Sequence, residues 1–169
     1  MHKSLKEPHL FNAATNPLKM MRNLAGILRD AELEKIRREI DRNVVLLFRL
    51  GESHFLFSKT VHSNEWRQKI SRLYYGAYNI RRAVMLKHDG SFTTESSDHQ
   101  KVDIVPEALE NHSLYKVKLK NLRDDRNLAD YSHDAVASDL ILGIDEAEAL
   151  VGSLFRDVKI FMMAHGIEL

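Results

Sequence analysis

The amino-acid sequence predicts an all-α fold, an antiparallel bundle of four or five helices. Apolar residues recur at intervals of three or four along most of the chain, and the alternation typical of strands is scarce. The chain has only three prolines, and none of them lies inside a long periodic segment, where it would break a helix. Short polar connections separate the periodic segments, which favours antiparallel packing of successive helices.

The first two predicted helices lie in the N-terminal third of the chain. Asn16-Pro17 is typical of a helix start, because proline is favoured at the first helical position, and apolar residues follow at helical spacing: Leu18, Met21, Leu24 and Leu28. A longer helix is predicted with Asp30 as its N-cap, and its apolar face comprises Leu33, Ile36, Ile40, Val44 and Leu47. This helix either breaks at Gly51 or continues toward Val61.

The clearest helical pattern begins at Trp66. Apolar residues repeat at intervals of four and three on one face: Trp66, Ile70, Leu73, Ala77, Ile80 and Val84. Asp89-Gly90 is expected to end this helix. Residues 90–104 then form a polar connection that is long enough to indicate a functional or mobile loop. A further short helix is predicted over Pro106–Asn111.

Two more helices complete the predicted bundle. The first starts near Ser113 and repeats at intervals of four and three through Tyr115, Leu119, Leu122, Arg126, Ala129 and His133. The last has a capping-box signal, Asp145 followed by Glu148, and an apolar face made of Ala147, Val151, Leu154, Val158 and Phe161. Residues 1–16 show no such pattern. We therefore predict an N-terminal extension over residues 1–29 with one short helix, and a helical bundle over residues 30–169.

Composition excludes several kinds of site. The chain has no cysteine, so disulfides, thiolate metal ligands and a thiol nucleophile are excluded. No run of about 18 apolar residues is present, so no membrane-spanning helix is predicted. The nine histidines form no HxxxH or HExxH pair, and no metal site is predicted. We expect a cytoplasmic protein without membrane association and without a cofactor.

Arg126 and His133 interrupt the apolar stripe of the helix that begins near residue 113. If that helix continues to His133, both side chains lie on one face, about 10 Å apart along the helix axis. Asp130 is four residues from Arg126, which is also the spacing of an ordinary ion pair on a helix surface. Because Asp130 and Ser132 favour helix ends, the helix either reaches His133 or ends before it. The stripe thus indicates a functional cluster at a helix interface or an ion pair beside a terminal histidine.

The segment RDDRNLADYSH, residues 123–133, resembles the signature of HEPN domains, in which an arginine precedes a polar residue and, four to six positions on, a histidine. Here Asn127 follows Arg126, and six residues separate Arg126 from His133. The segment RLYYGAYNIRRAVML, residues 72–86, resembles the second helix of this family, and SSDHQKV, residues 96–102, resembles the loop after it. The acidic segment around residues 145–150 also fits, and the similarity covers about residues 30–163.

The resemblance implies a HEPN-like bundle that forms a homodimer with two facing Arg–His motifs. Many HEPN domains are metal-independent RNases, toxin-like or part of defence systems. Arg126 would then hold the scissile phosphate and His133 would transfer a proton, supported by Asn127, Asp130 and Tyr131. The ribose 2′-hydroxyl would be the nucleophile. The partners implied are RNA or a nucleotide, and a nucleotidyltransferase-type antitoxin.

Two other functions remain open from the sequence. A non-catalytic nucleotide-binding or interaction module would partner a nucleotidyltransferase or another effector, with Arg126 and Asp130 as structural or ligand contacts. A purely structural helical subunit would have Arg126 and His133 satisfied by internal hydrogen bonds and facing no cavity. The observation that distinguishes these functions is whether Arg126 and His133 from two chains converge on one open cleft or are occluded.

Three further residues are candidates for substrate binding. Arg81 and Arg82 could form a phosphate-binding edge, although adjacent helix residues do not face one groove and an exposed helix surface is the simpler interpretation. His99 in the polar loop could reach a substrate or remain solvated. The tyrosines of the preceding helix could stack on RNA bases, but aromatic residues at helical spacing are more typical of a core: Tyr74, Tyr75 and Tyr78.

Overall fold

The computed structural model describes residues 15–93 and 95–169, and within them the chain forms five α-helices and no β-sheet. The helices are α1 (Pro17–Leu24), α2 (Asp30–Thr60), α3 (Trp66–His88), α4 (His112–Tyr131) and α5 (Ile144–Ala164). Short 3₁₀ helices cover Ser63–Glu65, Ser96–Lys101 and Ala137–Asp139. The predicted all-α bundle is confirmed at this level. The irregular segment predicted over residues 1–16 lies almost entirely outside the described residues.

α3 is the central helix of the bundle, because it packs against α2, α4 and α5. The apolar face predicted for it, from Ile70 to Val84, is buried. Burial also extends around the helix to polar side chains, since Tyr74, Tyr78 and Arg81 are each less than a tenth exposed. Buried polar atoms in a stable fold need hydrogen-bond partners, and these side chains find theirs in the loop that follows the helix.

α2 crosses α3 where a glycine of each helix allows the two backbones to approach closely. A Cβ atom at Gly51 would lie 2.6 Å from Ile80 Cγ1 and 2.9 Å from the carbonyl oxygen of Gly76. α2 nevertheless runs unbroken through Gly51 to Thr60, so of the two alternatives that the sequence allowed, the helix continues toward Val61. Gly51 therefore allows α2 and α3 to pack closely, and it does not interrupt α2.

We expect Gly51→Ala to lower the free energy of unfolding by about 1–2 kcal/mol, because overpacking against α3 outweighs the better helix propensity of alanine. Urea denaturation of the variant and the wild type measures this difference. Ser53→Ala, at an exposed position of the same helix, is the matched control and should change stability by less than about 0.5 kcal/mol. A Gly51→Ala protein as stable as the wild type would contradict the close approach.

The starts of α1 and α2 follow local side-chain chemistry. Pro17 lies in the first turn of α1, as predicted, and the structure shows that the Asn16 side chain caps that helix. α2 differs slightly from prediction, because Arg29 precedes the helix and Asp30 is its first residue. The carboxylate of Glu32 accepts a hydrogen bond from the Arg29 backbone N–H at 3.0 Å, which satisfies one of the free donors at this end.

The short helix predicted over residues 106–111 is absent. Successive turns replace it, closed by hydrogen bonds from the Leu109 N–H to the Pro106 carbonyl and from the His112 N–H to the Leu109 carbonyl. Asn111 has a φ of 60°, a left-handed conformation that cannot continue a right-handed helix. The turns therefore end here and α4 begins with the next residue.

The capping box predicted at Asp145 is also wrong. Gly143, with a φ of 59°, is the residue before α5, and Asp145 lies inside the first turn of the helix. Glu148 instead forms an ion pair with Lys69 of α3, with 2.8 Å between the charged atoms. The acidic residues of this turn still complement the positive end of the helix dipole.

Candidate functional site

An open cleft with a volume of about 710 Å³ lies between α3, α4 and the 3₁₀ segment Ser96–Lys101. Its lining residues come from these three elements: Tyr74, Ser96, His99, Gln100, Arg123, Asp124, Arg126, Asn127 and Tyr131. Four residues that the sequence identified as site candidates therefore meet here, namely Arg126, Asn127, Tyr131 and His99. Tyr74, which the sequence offered as a base-stacking or core residue, also lines the cleft, whereas Arg81, Arg82, Asp130 and His133 do not.

Arg126 is held by polar groups of both helices. Its Nη2 donates a hydrogen bond to the Tyr75 hydroxyl at 2.8 Å, and its Nη1 donates to Asn127 Oδ1 at 3.2 Å. Its Nε lies 2.7 Å from Asp130 Oδ2, although the N–H is not directed at that oxygen. Asp130 is oriented in turn by the Ser71 hydroxyl, which donates to Oδ1 at 2.5 Å. The guanidinium group is thus fixed in position at the wall of the cleft.

Three tyrosine rings surround the same guanidinium group. The Arg126 Cζ atom lies 5.4–5.5 Å from the ring centres of Tyr74, Tyr75 and Tyr131, within the range of cation–π contacts. Tyr74 is fully buried, whereas Tyr131 is 72% exposed. The tyrosines of α3 therefore belong mainly to the core, and Tyr131 offers an accessible ring beside the cation.

His99 is brought into the cleft by contacts with two tyrosines of α3. Its Nδ1 lies 2.8 Å from the Tyr74 hydroxyl, and its ring stacks on Tyr78 with 4.2 Å between ring centres and 18° between planes. Burial lowers the pKa of His99 below its ordinary value, and the nearby charge of Arg126 lowers it further. The imidazole is therefore neutral near neutral pH.

A buried ion pair anchors the loop that carries His99. The Nη1 of Arg81 lies 3.2 Å from Asp98 Oδ1, and both residues are less than 5% exposed. Arg81 Nε also donates to the Ile104 carbonyl at 3.0 Å, while the Tyr78 hydroxyl donates to Asp98 Oδ2 at 3.0 Å. Burial and the adjacent Asp98 raise the pKa of Tyr78 to about 12, so this hydroxyl keeps its proton. Arg81 holds the loop in place and is too buried to touch a ligand.

Arg82 has a similar role at the start of the loop. Its Nη2 donates to the Thr93 carbonyl at 3.0 Å, and its Nε lies 3.9 Å from Asp98 Oδ2. The phosphate-binding edge suggested for Arg81 and Arg82 is not formed, because both side chains bind the loop. The polar loop, which the sequence left as functional or mobile, is tied to α3 at both of its ends.

α4 ends at Tyr131, so Arg126 and His133 do not share a helical face. Arg67 of α3 caps this end with hydrogen bonds of 2.7–2.8 Å to three carbonyl oxygens, those of Ala129, Ser132 and Ala135. The backbone at Ser132 is extended, with a ψ of 110°, and the chain leaves the helix axis there. His133 is exposed and has no hydrogen-bond partner among the described residues. Of the two alternatives that the sequence allowed, the helix ends before His133, because a distant arginine satisfies carbonyl groups at an earlier helix end.

Arg123 is a cleft residue that the sequence interpretation missed. Its Nη1 donates to the Gln100 carbonyl at 3.3 Å, and its Nη2 lies 3.1 Å from Asp124 Oδ1. The available signal was its position three residues before Arg126, which places both on the same face of α4. Two guanidinium groups therefore border one cleft and connect α4 with the loop of His99.

Other kinds of site are not evident in the part of the chain that the structure describes. Residues 15–93 and 95–169 contain no group of three or more histidine, aspartate or glutamate side chains arranged to hold a metal ion. No helix among these residues combines the length and apolar character needed to cross a membrane.

The chain matches no protein-family model, no curated protein and no solved structure. The chemistry of the cleft is therefore inferred from its own residues. Guanidinium groups bind phosphate oxygens as planar forks, imidazole N–H groups donate hydrogen bonds to the same oxygens, and exposed aromatic rings stack on bases. The cleft brings all three kinds of group together.

Proposed function

We propose that the protein is a HEPN-type, metal-independent RNase that acts as a homodimer, with a toxin-like or defence role, and that RNA binds in the Arg126 cleft. One observation carries this proposal: Arg123 and Arg126 border an open cleft together with His99 and the exposed ring of Tyr131. This set can hold the backbone phosphate of a single strand between guanidinium groups while a neighbouring base stacks on Tyr131.

The proposed reaction is a transesterification within the RNA strand. The ribose 2′-hydroxyl attacks the adjacent phosphorus, and the bond from that phosphorus to the 5′ oxygen breaks, which leaves a 2′,3′-cyclic phosphate and a 5′-hydroxyl. Arg126 stabilises the negative charge that builds on the phosphate oxygens. One imidazole accepts the proton of the 2′-hydroxyl and another group supplies a proton to the leaving oxygen. His133 and the partner's His133 fill these two roles.

The position of His133 makes a second subunit necessary for this mechanism. Within one chain His133 lies outside the cleft, because α4 ends before it. Its ring is exposed and has no hydrogen-bond partner among the described residues, so it is available to a facing subunit. The proposal therefore requires that dilution to monomers abolishes cleavage.

A non-catalytic nucleotide-binding module that partners a nucleotidyltransferase or another effector is the second candidate. The contacts of Arg126 favour it, because Asp130, Tyr75 and Asn127 already engage its guanidinium group. Such a group can bind a phosphate from the cleft that it borders without promoting a reaction. A purely structural subunit is less well supported, since Arg126 borders an open cleft.

We expect the wild-type protein to cleave single-stranded RNA in the presence of EDTA and to leave cyclic phosphate ends. His133→Ala should lower the cleavage rate at least about 100-fold, because a positioned acid or base contributes about 10²–10⁴-fold. His88→Ala, an exposed histidine at the end of α3, is the matched control and should cleave at the wild-type rate. Product analysis by gel and mass spectrometry measures both.

The outcomes of this assay separate the two candidates. A folded wild-type dimer that binds RNA but does not cleave it contradicts the RNase proposal and supports the binding module. A folded protein that neither binds nor cleaves RNA, and binds no nucleotide, contradicts both.

A further inference from the structure

We infer that His99 contacts the phosphate of the ligand in the cleft through its Nε2 atom, beside the guanidinium groups of Arg123 and Arg126. The inference rests on the proposed function, since it concerns the same cleft, and it deepens it. It assigns a ligand contact to a histidine outside the Arg126–His133 motif. It also makes the loop after α3 part of the binding site.

The His99 ring is fixed in place before a ligand binds. A histidine on a polar loop ordinarily rotates freely and loses that freedom on binding. Here the ring stacks on Tyr78 at 4.2 Å and its Nδ1 is hydrogen-bonded to the Tyr74 hydroxyl. The neighbouring Asp98 forms a buried ion pair with Arg81. The side chain is therefore already ordered before a ligand arrives.

The hydrogen bond with Tyr74 determines which ring nitrogen of His99 carries the proton. Tyr74 is fully buried, and burial raises the pKa of its hydroxyl, so this group keeps its proton. The hydroxyl has no other hydrogen-bond partner among the described residues and therefore donates to His99 Nδ1. A neutral imidazole that accepts at Nδ1 carries its hydrogen on Nε2. Nε2 has no hydrogen-bond partner in the described part of the chain, and His99 lines the cleft, so its N–H is an unused donor on a side chain of the site.

His99 and Arg126 both lie against the ring of Tyr74. The His99 ring centre lies 5.8 Å from that of Tyr74, and Arg126 Cζ lies 5.5 Å from the same ring. Both side chains also line the cleft. A ligand group that satisfies two cations and a neutral N–H donor must be an anion with several acceptor oxygens, which is the chemistry of phosphate.

The size of the cleft indicates more than a free phosphate. About 710 Å³ is within the range of sites that hold an organic ligand, and Tyr131 supplies an accessible ring for a base. The phosphate belongs either to a mononucleotide or to the backbone of an RNA strand. Both sources present the same oxygens to His99, and the experiment distinguishes them.

The test measures binding of two probes that cannot be cleaved in this way. One is a 2′-O-methyl oligoribonucleotide, whose nucleophile is blocked, and the other is adenosine monophosphate. His99→Phe keeps the stacking on Tyr78 but removes both ring nitrogens. Whichever probe the wild type binds, we expect His99→Phe to raise its dissociation constant about tenfold or more. This is the loss of affinity typical of removing a hydrogen bond to a charged group. His88→Phe is the matched control, expected to bind like the wild type.

Tyr74→Phe distinguishes the ligand contact of His99 from the hydrogen bond that orients its ring. This variant keeps the His99 imidazole in the cleft but frees its tautomer, and we expect a rise of less than about threefold in the dissociation constant. If His99→Phe does not fold, the double variant Tyr74→Phe/His99→Ala is compared with Tyr74→Phe, because neither of these leaves the Tyr74 hydroxyl unpaired. The expected difference between the two is again about tenfold.

The outcomes distinguish the role of His99 from the proposed function. Tight binding by the wild type with no loss in His99→Phe overturns the role of His99 and leaves the proposed function standing. Binding of neither probe by the folded wild type overturns the proposed function, and the role of His99 with it. If the wild type binds the oligonucleotide and His99→Phe weakens that binding, the phosphate is that of an RNA strand. If the wild type binds only adenosine monophosphate and His99→Phe weakens that binding, the phosphate is that of a single nucleotide.

Discussion

Arg126→Ala is expected to lower the rate of RNA cleavage by about 100- to 1,000-fold, the effect of removing one donor that stabilises a developing anion. The guanidinium group borders the cleft and is already oriented by Tyr75 and Asp130. Preorganised charge of this kind acts in the transition state without a cost for reorganisation. Single-turnover cleavage by the folded variant and the wild type measures the ratio of the rates.

Arg126→Lys tests whether charge alone is sufficient. Lysine keeps the positive charge close to Asp130 but is a point charge and cannot hold two phosphate oxygens as a fork. We therefore expect Arg126→Lys to remain at least about tenfold slower than the wild type, and Arg38→Ala, at a highly exposed position of α2, to be unaffected. Wild-type cleavage by Arg126→Ala would contradict the role given to this residue.

Asp125→Ala is expected to lower the free energy of unfolding by about 2–4 kcal/mol. Asp125 is only 1% exposed, and its two carboxylate oxygens accept hydrogen bonds from the backbone N–H groups of Ile141 and Leu142, at 2.6 Å and 3.0 Å. Removing the carboxylate leaves both donors unpaired, and an unsatisfied buried donor costs about 1–3 kcal/mol. Urea denaturation followed by circular dichroism measures the loss.

The neighbouring residue provides the matched control for this variant. Asp124 pairs with Arg123 at the edge of the cleft, and its side chain is 41% exposed. Asp124→Ala should therefore change stability by less than about 1 kcal/mol. If Asp125→Ala and Asp124→Ala unfold at the same urea concentration as the wild type, the carboxylate of Asp125 does not hold the connection between α4 and α5.

The location of Arg126 could be predicted from the sequence because it depends on a local period. An apolar stripe that runs through Leu119 and Leu122 must face another helix, and the next position of that stripe is Arg126. The structure confirms this contact, since Arg126 binds Tyr75 of α3. The same reasoning correctly identified α3 as a helix, because its buried residues also follow a helical period.

The end of α4 could not be predicted in the same way. Residues 130–133 contain types that favour helix ends, but the stripe pattern continues to His133. The decision depends on Arg67, which lies more than 60 residues earlier in the chain and binds the carbonyl oxygens of Ala129 in the last turn and of Ser132 and Ala135 just beyond it. A contact between residues so far apart leaves no periodic trace in the sequence.

The roles of Arg81, Arg82 and His99 were decided by burial. All three are polar residues in or near a polar loop, and their identities allow either a phosphate edge or a structural network. Asp98 is buried in the core and forms an ion pair with Arg81, because a buried carboxylate needs a compensating charge. That pairing removes Arg81 from the candidate site and places His99, the next residue in the loop, at the cleft.

The sequence by itself determined which segments of this protein are helical, which faces of the helices are apolar and that Arg126 meets a neighbouring helix. These properties follow from the spacing of side chains within a few turns, which is a local quantity. Only the tertiary structure decided that α4 stops before His133 and that Arg123 and His99 join Arg126 at one cleft. Those outcomes depend on hydrogen bonds and ion pairs between distant segments, whose partners are selected when the buried polar groups of the whole fold must be satisfied together.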